Sequence, residues 1–256
     1  MEGIPESLSA FFQRHSKLAV ALSGGVDSAY LLYAATRCGA DVRAYFAHTA
    51  FQPAFECEDA QRAADFCNIR LERIRVDVLG EAAIACNGAD RCYHCKRRIL
   101  GAIKERIGAD AERLLLDGTN ASDDADDRPG MRALSELGVR SPLRICGLKK
   151  TDVRALARRA GIPVADKPAY ACLATRVQTG MRIEAELLCR IEAAELALME
   201  RGYRDFRVRI RPDGALLQFT QGDQLRAHGE EQALDELLGQ WFEQVRIDHV
   251  IRKGSD

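Results

Sequence analysis

The chain has 256 residues, 47% of them hydrophobic and 29% charged, with a formal net charge of −1. This length allows a large core and about two domains, and the balance is that of an ordinary globular protein. It excludes the strong positive field of a general nucleic-acid binder, and no apolar run approaches the roughly 18 residues of a membrane helix. The acidic start, Met1-Glu2-Gly3-Ile4-Pro5-Glu6, lacks the apolar stretch of a signal peptide. Nine cysteines, spread along a chain too long to need disulfide staples, fit reduced thiols and a cytoplasmic setting.

Leu18-Ala19-Val20-Ala21-Leu22 predicts a buried strand, and Ala29, Leu31, Leu32, Ala34 and Ala35 recur at helical spacing until Cys38-Gly39. Between them stands Ser23-Gly24-Gly25-Val26-Asp27-Ser28. A strand that turns through two glycines into a helix offers close backbone approach, unpaired N–H groups and a positive dipole end, which together make an anion site. Ser23 and Ser28 add hydroxyl donors, while an acid beside a phosphate cradle, Asp27, calls for a bridging Mg²⁺. The ending of a Walker A loop and the glycine spacing of a dinucleotide fold are both absent. The six residues resemble the PP-loop of the N-type ATP pyrophosphatases, which implies cleavage of ATP between its α- and β-phosphates.

Asp41–His48 predicts a second strand, 55–67 a helix with Ala60, Ala63, Ala64 and Phe66 inward, and Leu71–Val78 a third strand. A helical pattern runs from Asp90 to Ile107, and Arg113–Leu116 reads as a fourth strand. This rhythm predicts an α/β fold with a parallel, doubly wound sheet, and ligands at the carboxyl ends of its strands, where Ser23, His48, Asp77 and Asp117 fall. The acidic run Asp123-Asp124-Ala125-Asp126-Asp127 follows a core strand, as a lid touching metal or substrate would. Basic residues cluster at Arg91, Lys96, Arg97 and Arg98, and at Arg140, Arg144, Lys149, Lys150 and Arg154; these are solvated helix faces or pockets for small anions.

Thr151–Ala160 predicts a capped helix, and a long loop follows from Val164 to Arg182. Beyond it the rhythm changes. A helix over Glu184–Arg201 shows an apolar stripe of Leu187, Leu188, Ile191, Ala194 and Leu198. Arg211-Pro212-Asp213-Gly214 turns a hairpin between 207–210 and 215–219, and a helix through Leu234 and a strand at Val245–Ile247 close a small C-terminal α+β domain. The expected divisions are 1–168, a cysteine-bearing loop 169–182, and 183–256.

Cys92 and Cys95 make a Cys-x-x-Cys pair at a helix start, where the dipole lowers thiol pKa, and Cys172 lies in the long loop. Spacing alone leaves redox, zinc and iron–sulfur roles open. The remaining cysteines show no ligand spacing, and Cys67 and Cys189 in particular read as small core hydrophobes.

Ser23–Ser28, Arg91-Cys92-Tyr93-His94-Cys95-Lys96, Asp117-Gly118-Thr119-Asn120, Asp127-Arg128-Pro129-Gly130, Ser141-Pro142-Leu143 and the run from Lys167 to Arg176 together resemble the LarE family over nearly the whole chain. The resemblance implies an ATP-dependent sulfurtransferase of nickel-pincer nucleotide cofactor synthesis. It would adenylate a carboxylate of pyridinium-3,5-biscarboxylic acid mononucleotide and exchange AMP for sulfur, giving a thiocarboxylate. ATP contacts are then expected at Ser23, Gly24, Gly25, Val26, Asp27, Ser28 and Gly118, with Mg²⁺ on Asp27 and catalytic roles for Cys172, Asp27 and Ser28. Arg176, Glu195, Arg207 and Arg209 match positions that contact the substrate, although Gln218 stands where some relatives carry glutamate. Two arginines at i and i+2 share one strand face, which suits a phosphate.

The family delivers sulfur in two ways. In one, the cysteine matching Cys172 gives up its own sulfur and becomes dehydroalanine. In the other, three cysteines hold a [4Fe-4S] cluster whose open iron carries sulfide. Cys92, Cys95 and Cys172 match the three-cysteine pattern, so the cluster version is the expected one. A sacrificial Cys172, or a structural zinc site using these cysteines and His94, are the alternatives. PP-loop tRNA thiolases also combine this loop with three cysteines, but a net charge of −1 and the lack of an added RNA-binding domain argue against RNA. The expected partners are the small nucleotide substrate, a sulfide source and further copies of the chain, with no nucleic acid and no membrane.

Overall fold

A computed structural model describes residues 3–108, 112–123 and 128–252. Residues 1–2 of the acidic start and 124–127 of the acidic run lie outside the described residues. In chain order the elements are α1 (Glu6–Arg14), β1 (Lys17–Leu22), α2 (Val26–Arg37), β2 (Asp41–His48), α3 (Ala54–Phe66), β3 (Leu71–Arg75), α4 (Ala82–Ala85), α5 (Arg91–Ile107) and β4 (Leu114–Leu116). There follow α6 (Arg128–Glu136), α7 (Pro142–Ile145), α8 (Lys150–Arg159), a 3₁₀ turn (Leu173–Arg176) and α9 (Ala185–Glu200). The hairpin strands β5 (Phe206–Arg211) and β6 (Gly214–Phe219), then α10 (Gln221–Gly229), α11 (Glu231–Leu238) and β7 (Val245–Ile247), complete the chain. No helix among the described residues is long and apolar enough to cross a membrane.

The chain forms two compact units, Met1–Val78 with Cys92–Lys167, and Leu79–Arg91 with Pro168–Asp256. In the first, four parallel strands stand in the order β3-β2-β1-β4. The apolar run Leu18–Leu22 is central because β2 and β4 pair with it on either side, Val20 facing Ala44 and Leu116. The order runs outward from β1 to β3 and then returns to the other side of β1, so the direction of winding reverses between β1 and β4. In such sheets the crevice beyond the carboxyl ends at the reversal is where ligands bind. Ser23 and Asp117 are the first residues past those two ends.

Helix α2 is buried on most of its surface, with Ala29, Tyr30, Leu31, Leu32, Ala34 and Ala35 in the core beside Leu8, Phe11 and Phe12 of α1. Strand β3 stops at Arg75, short of the expected Val78, because β2 has ended at His48 and offers only one more carbonyl, to Val76 N. Phe66, expected inward, is 43% exposed and lies against Tyr33 with ring centroids 6.0 Å apart.

In the second unit β5 and β6 pair antiparallel and β7 adds parallel to β6. The stripe of α9 buries Leu188, Ile191, Ala194, Glu195 and Leu198. Cys189 falls on the opposite face and is exposed, which corrects its expected place in a core. The segment Leu79–Arg91 is stitched to the long loop of this unit: Ile183 N donates to Ala85 O at 2.8 Å, and Asn87 Nδ2 to Gln178 O at 2.9 Å.

Candidate active site

Past β1 the backbone turns through Gly24 at φ +81°. A Cβ on Gly24 would stand 2.4 Å from the Glu56 carbonyl oxygen, so the loop lies on α3 in a way that only glycine allows. Past β4, a Cβ on Gly118 would meet Ser28 N at 2.7 Å. The Asp117-Gly118 peptide therefore lies against the start of α2, where the first helical N–H groups have no helical partner. The two serines brace this turn. The Ser28 hydroxyl donates to Gly25 O at 3.1 Å and accepts from Ser23 N at 3.1 Å, while Gly25 N donates to Ser23 Oγ at 3.4 Å.

Asp27, one residue into α2, pairs through Oδ2 with the Lys150 ammonium. Among the described residues, its other oxygen, Oδ1, is buried with no hydrogen-bond partner. Burial pushes the Asp27 carboxyl above its ordinary value, against the opposing pull of Lys150 and Arg154. Arg154 lies one turn beyond Lys150 on α8, which packs on α2. Its Nε and Nη2 are likewise buried without a partner among the described residues. Buried polar atoms are almost always satisfied. A partnerless carboxylate oxygen fits a hard cation such as Mg²⁺, and partnerless guanidinium N–H groups fit phosphate oxygens.

Asp117 is held by Ser141 Oγ, which donates to Oδ1 at 2.5 Å, and by the Thr119 hydroxyl. Burial pushes its carboxyl up as well, and Lys96 on α5 opposes the shift.

Cys92 and Cys95 occupy the first turn of α5 in the first unit, and Cys172 immediately precedes the 3₁₀ turn in the second; all three are half-buried. Among the described residues no three or more His, Cys, Asp or Glu side chains form a metal-binding group.

The four residues expected at the substrate come together within the second unit. Arg176 is fully buried and grips Glu195 with two bonds, Nε to Oε1 at 2.8 Å and Nη2 to Oε2 at 3.0 Å. Arg207 and Arg209 lie on β5; Arg207 donates to Ala169 O at 3.0 Å and Arg209 to Gln218 Oε1 at 3.0 Å. Burial lowers both guanidinium pKa values, and the neighbouring arginines lower them further. Arg176, Arg207, Arg209 and Arg252 against the carboxylates of Glu195 and Asp205 leave a positive surplus, the electrostatic mark of an anion site. Gln218 is a neutral partner and leaves the charge of Arg209 intact. Lys150 and Arg154 lay within a basic cluster of the sequence, but only folding brings them to Asp27.

No family model matches the chain. A pyridinium-3,5-bisthiocarboxylic acid mononucleotide synthase of Lactiplantibacillus plantarum is 30% identical over 217 residues, covering 84% of this chain and 79% of that protein. An uncharacterised protein of Synechocystis is 32% identical over 93% of this chain and 89% of its own length. An uncharacterised protein of Methanocaldococcus jannaschii is 31% identical over 77% and 75%.

Proposed function

Because this chain belongs to the family of the pyridinium-3,5-bisthiocarboxylic acid mononucleotide synthase, we propose that it is an ATP-dependent sulfurtransferase acting on a pyridinium dicarboxylate mononucleotide. A carboxylate resists nucleophiles because its charge repels them and oxide is a poor leaving group. In the proposed reaction a substrate carboxylate oxygen attacks the α-phosphorus of ATP. The α,β-bridging P–O bond breaks, and pyrophosphate leaves with the electron pair. Sulfur then adds to the acyl carbon, the C–O bond to AMP breaks, and a thioacyl product forms.

The Ser23–Ser28 turn and Gly118 hold the phosphates at the start of α2, with Arg154 and Lys150 countering their charge. Asp27 Oδ1 would hold Mg²⁺, which when bound supplies positive charge to the leaving pyrophosphate. Arg207 and Arg209 hold the substrate phosphate. The sulfur is delivered at Cys172. Where Cys172 gives its own sulfur, its thiolate forms the thioester, and loss of its Cα proton with cleavage of Cβ–S leaves thiocarboxylate and dehydroalanine. That route is the alternative; sulfide carried on a cluster held by Cys92, Cys95 and Cys172 is the favoured reading, supported by Cys92 and Cys95 at Cys-x-x-Cys spacing at a helix start. Iron and acid-labile sulfide in anaerobically purified protein separate the two.

The observation that carries the proposal is that Asp27 Oδ1 at the strand–turn–helix and the Arg154 Nε and Nη2 on α8 are buried without a partner among the described residues. It is tested by mixing protein, ATP, Mg²⁺ and the dicarboxylate nucleotide. AMP, pyrophosphate and a product in which sulfur has replaced oxygen are expected. ADP and phosphate, or hydrolysis without any sulfur-bearing product, would overturn it.

A further inference from the structure

We infer that Arg176, Glu195 and Tyr170 are positioning residues, a buried clamp that fixes the backbone on both sides of Cys172, and that Arg176 and Glu195 do not bind substrate. This rests on the proposed delivery of sulfur at Cys172.

Glu195 is 1% exposed and Arg176 0%. A carboxylate taken out of water must be fully hydrogen-bonded to be tolerated. Glu195 accepts two bonds from Arg176, one from the Tyr170 hydroxyl, and one from Val208 N at 2.9 Å. Its two oxygens can take about four donors, so that set leaves no capacity for a ligand. Arg176 is similarly committed. Besides Glu195, its Nη1 donates to Ala171 O at 2.9 Å and to Thr175 Oγ1 at 3.1 Å, and its guanidinium lies 4.5 Å from the centroid of the Tyr170 ring.

These bonds converge on the peptide units around Cys172. Ala171 is the residue before it. Thr175 closes the turn after it, its N and Oγ1 donating to Cys172 O at 2.9 and 2.7 Å. Arg207 holds Ala169 O, two residues further upstream. The fixed ends of the clamp are α9, which carries Glu195, and β5, which carries Val208. A residue in a long loop is thereby tied to two regular elements. Cys172 itself is half-buried, and these bonds fix its backbone from both sides.

A sulfur that must meet an acyl carbon from above its plane gains from such fixing, and a misplacement of about 1 Å can cost ~100-fold in rate. The test compares Arg176→Lys, Tyr170→Phe and Thr175→Val with the unaltered protein in single-turnover reactions. Each variant is first shown to melt cooperatively and to bind ATP. The rate of thiocarboxylate formation should fall, about 10- to 100-fold in Arg176→Lys and several-fold in the two milder variants, while the half-saturating concentration of the nucleotide substrate stays within about two-fold. A rise in that concentration with an unchanged limiting rate in Arg176→Lys would make it a substrate ligand and overturn the inference. If Arg176→Lys does not fold, an unchanged rate in both Tyr170→Phe and Thr175→Val overturns it as well. Failure of the unaltered protein to form AMP and pyrophosphate would instead strike the reaction class, so the two failures are distinguishable.

Discussion

Lys150 holds one oxygen of the Asp27 carboxylate while the other is buried with no partner among the described residues. An ion pair sunk beneath a phosphate cradle and left half-satisfied is costly to keep, and a bound ligand that completes it recovers that cost. Arg154 completes the pattern from the cationic side.

Removing that cation should therefore weaken nucleotide binding more than folding. Arg154→Ala is expected to weaken binding of a non-hydrolysable ATP analogue by about 1.5–3 kcal/mol, roughly 10- to 150-fold, as for a charge-assisted contact. Calorimetric titration checks this, and unchanged affinity would remove Arg154 from the site. Gly118→Ala should act at the same place by sterics, since its Cβ would press on Ser28 N and the start of α2.

At the substrate arginines the neutral Gln218 offers a second handle. Gln218→Glu would place a carboxylate against Arg209 and a second acid beside Asp248, which now accepts from Gln218 Nε2 at 2.8 Å. The half-saturating concentration of the nucleotide substrate should rise several-fold with little effect on ATP affinity. An equal effect on both ligands would contradict the assignment of Arg209 to the nucleotide substrate.

Away from chemistry, Arg113 joins the amino ends of two strands. It donates to Leu18 O at 3.0 Å and to both Asp41 O and Asp41 Oδ2 at 2.7 Å. The Arg113 bond holds the Asp41 carboxyl below its ordinary 3.8. A lowered pKa contributes stability that is complete above the unfolded value and fades as pH falls through the folded one. Arg113→Met should lower thermal stability near neutrality, through lost bonds to backbone carbonyls. It should also flatten the loss of stability seen below about pH 4. Melting curves across that range decide it, and an unchanged acid limb would contradict the assignment.

Thiol labelling probes the cysteines that the reaction does not use. Burial pushes Cys67 up to about 11, whereas Cys86 and Cys189 are exposed. At mildly alkaline pH, iodoacetamide should mark Cys86 and Cys189 first and Cys67 last, as read by peptide mass mapping. Equal labelling would show that the α3 terminus opens readily.

Much of this was legible in the residues. Leu18–Leu22, apolar on both faces, reads as a buried strand, and the Ser-Gly-Gly turn after it has few physical uses. The helix–hairpin change of rhythm past Arg182 marked a second kind of domain just as plainly. Other features depend on which residues meet in space. Phe66 follows the helical spacing of α3 yet ends on its rim, and Cys189 sits one position from the buried stripe of α9. The one-turn helices α4 and α7 are too short to show periodicity. Nor does any local pattern reveal that Arg176 turns inward onto Glu195, or that Leu79–Arg91 joins the second unit. Those are long-range bonds, and only the fold creates them.

The central claim is that ATP activates a carboxylate so that sulfur delivered at Cys172 can replace its oxygen. The most direct measurement follows pyrophosphate and thiocarboxylate together in the unaltered protein and in Cys172→Ala, with the dicarboxylate nucleotide, ATP, Mg²⁺ and sulfide present. Pyrophosphate from both proteins, with thiocarboxylate from the unaltered protein alone, is the predicted result. Thiocarboxylate at an undiminished rate from Cys172→Ala would contradict it.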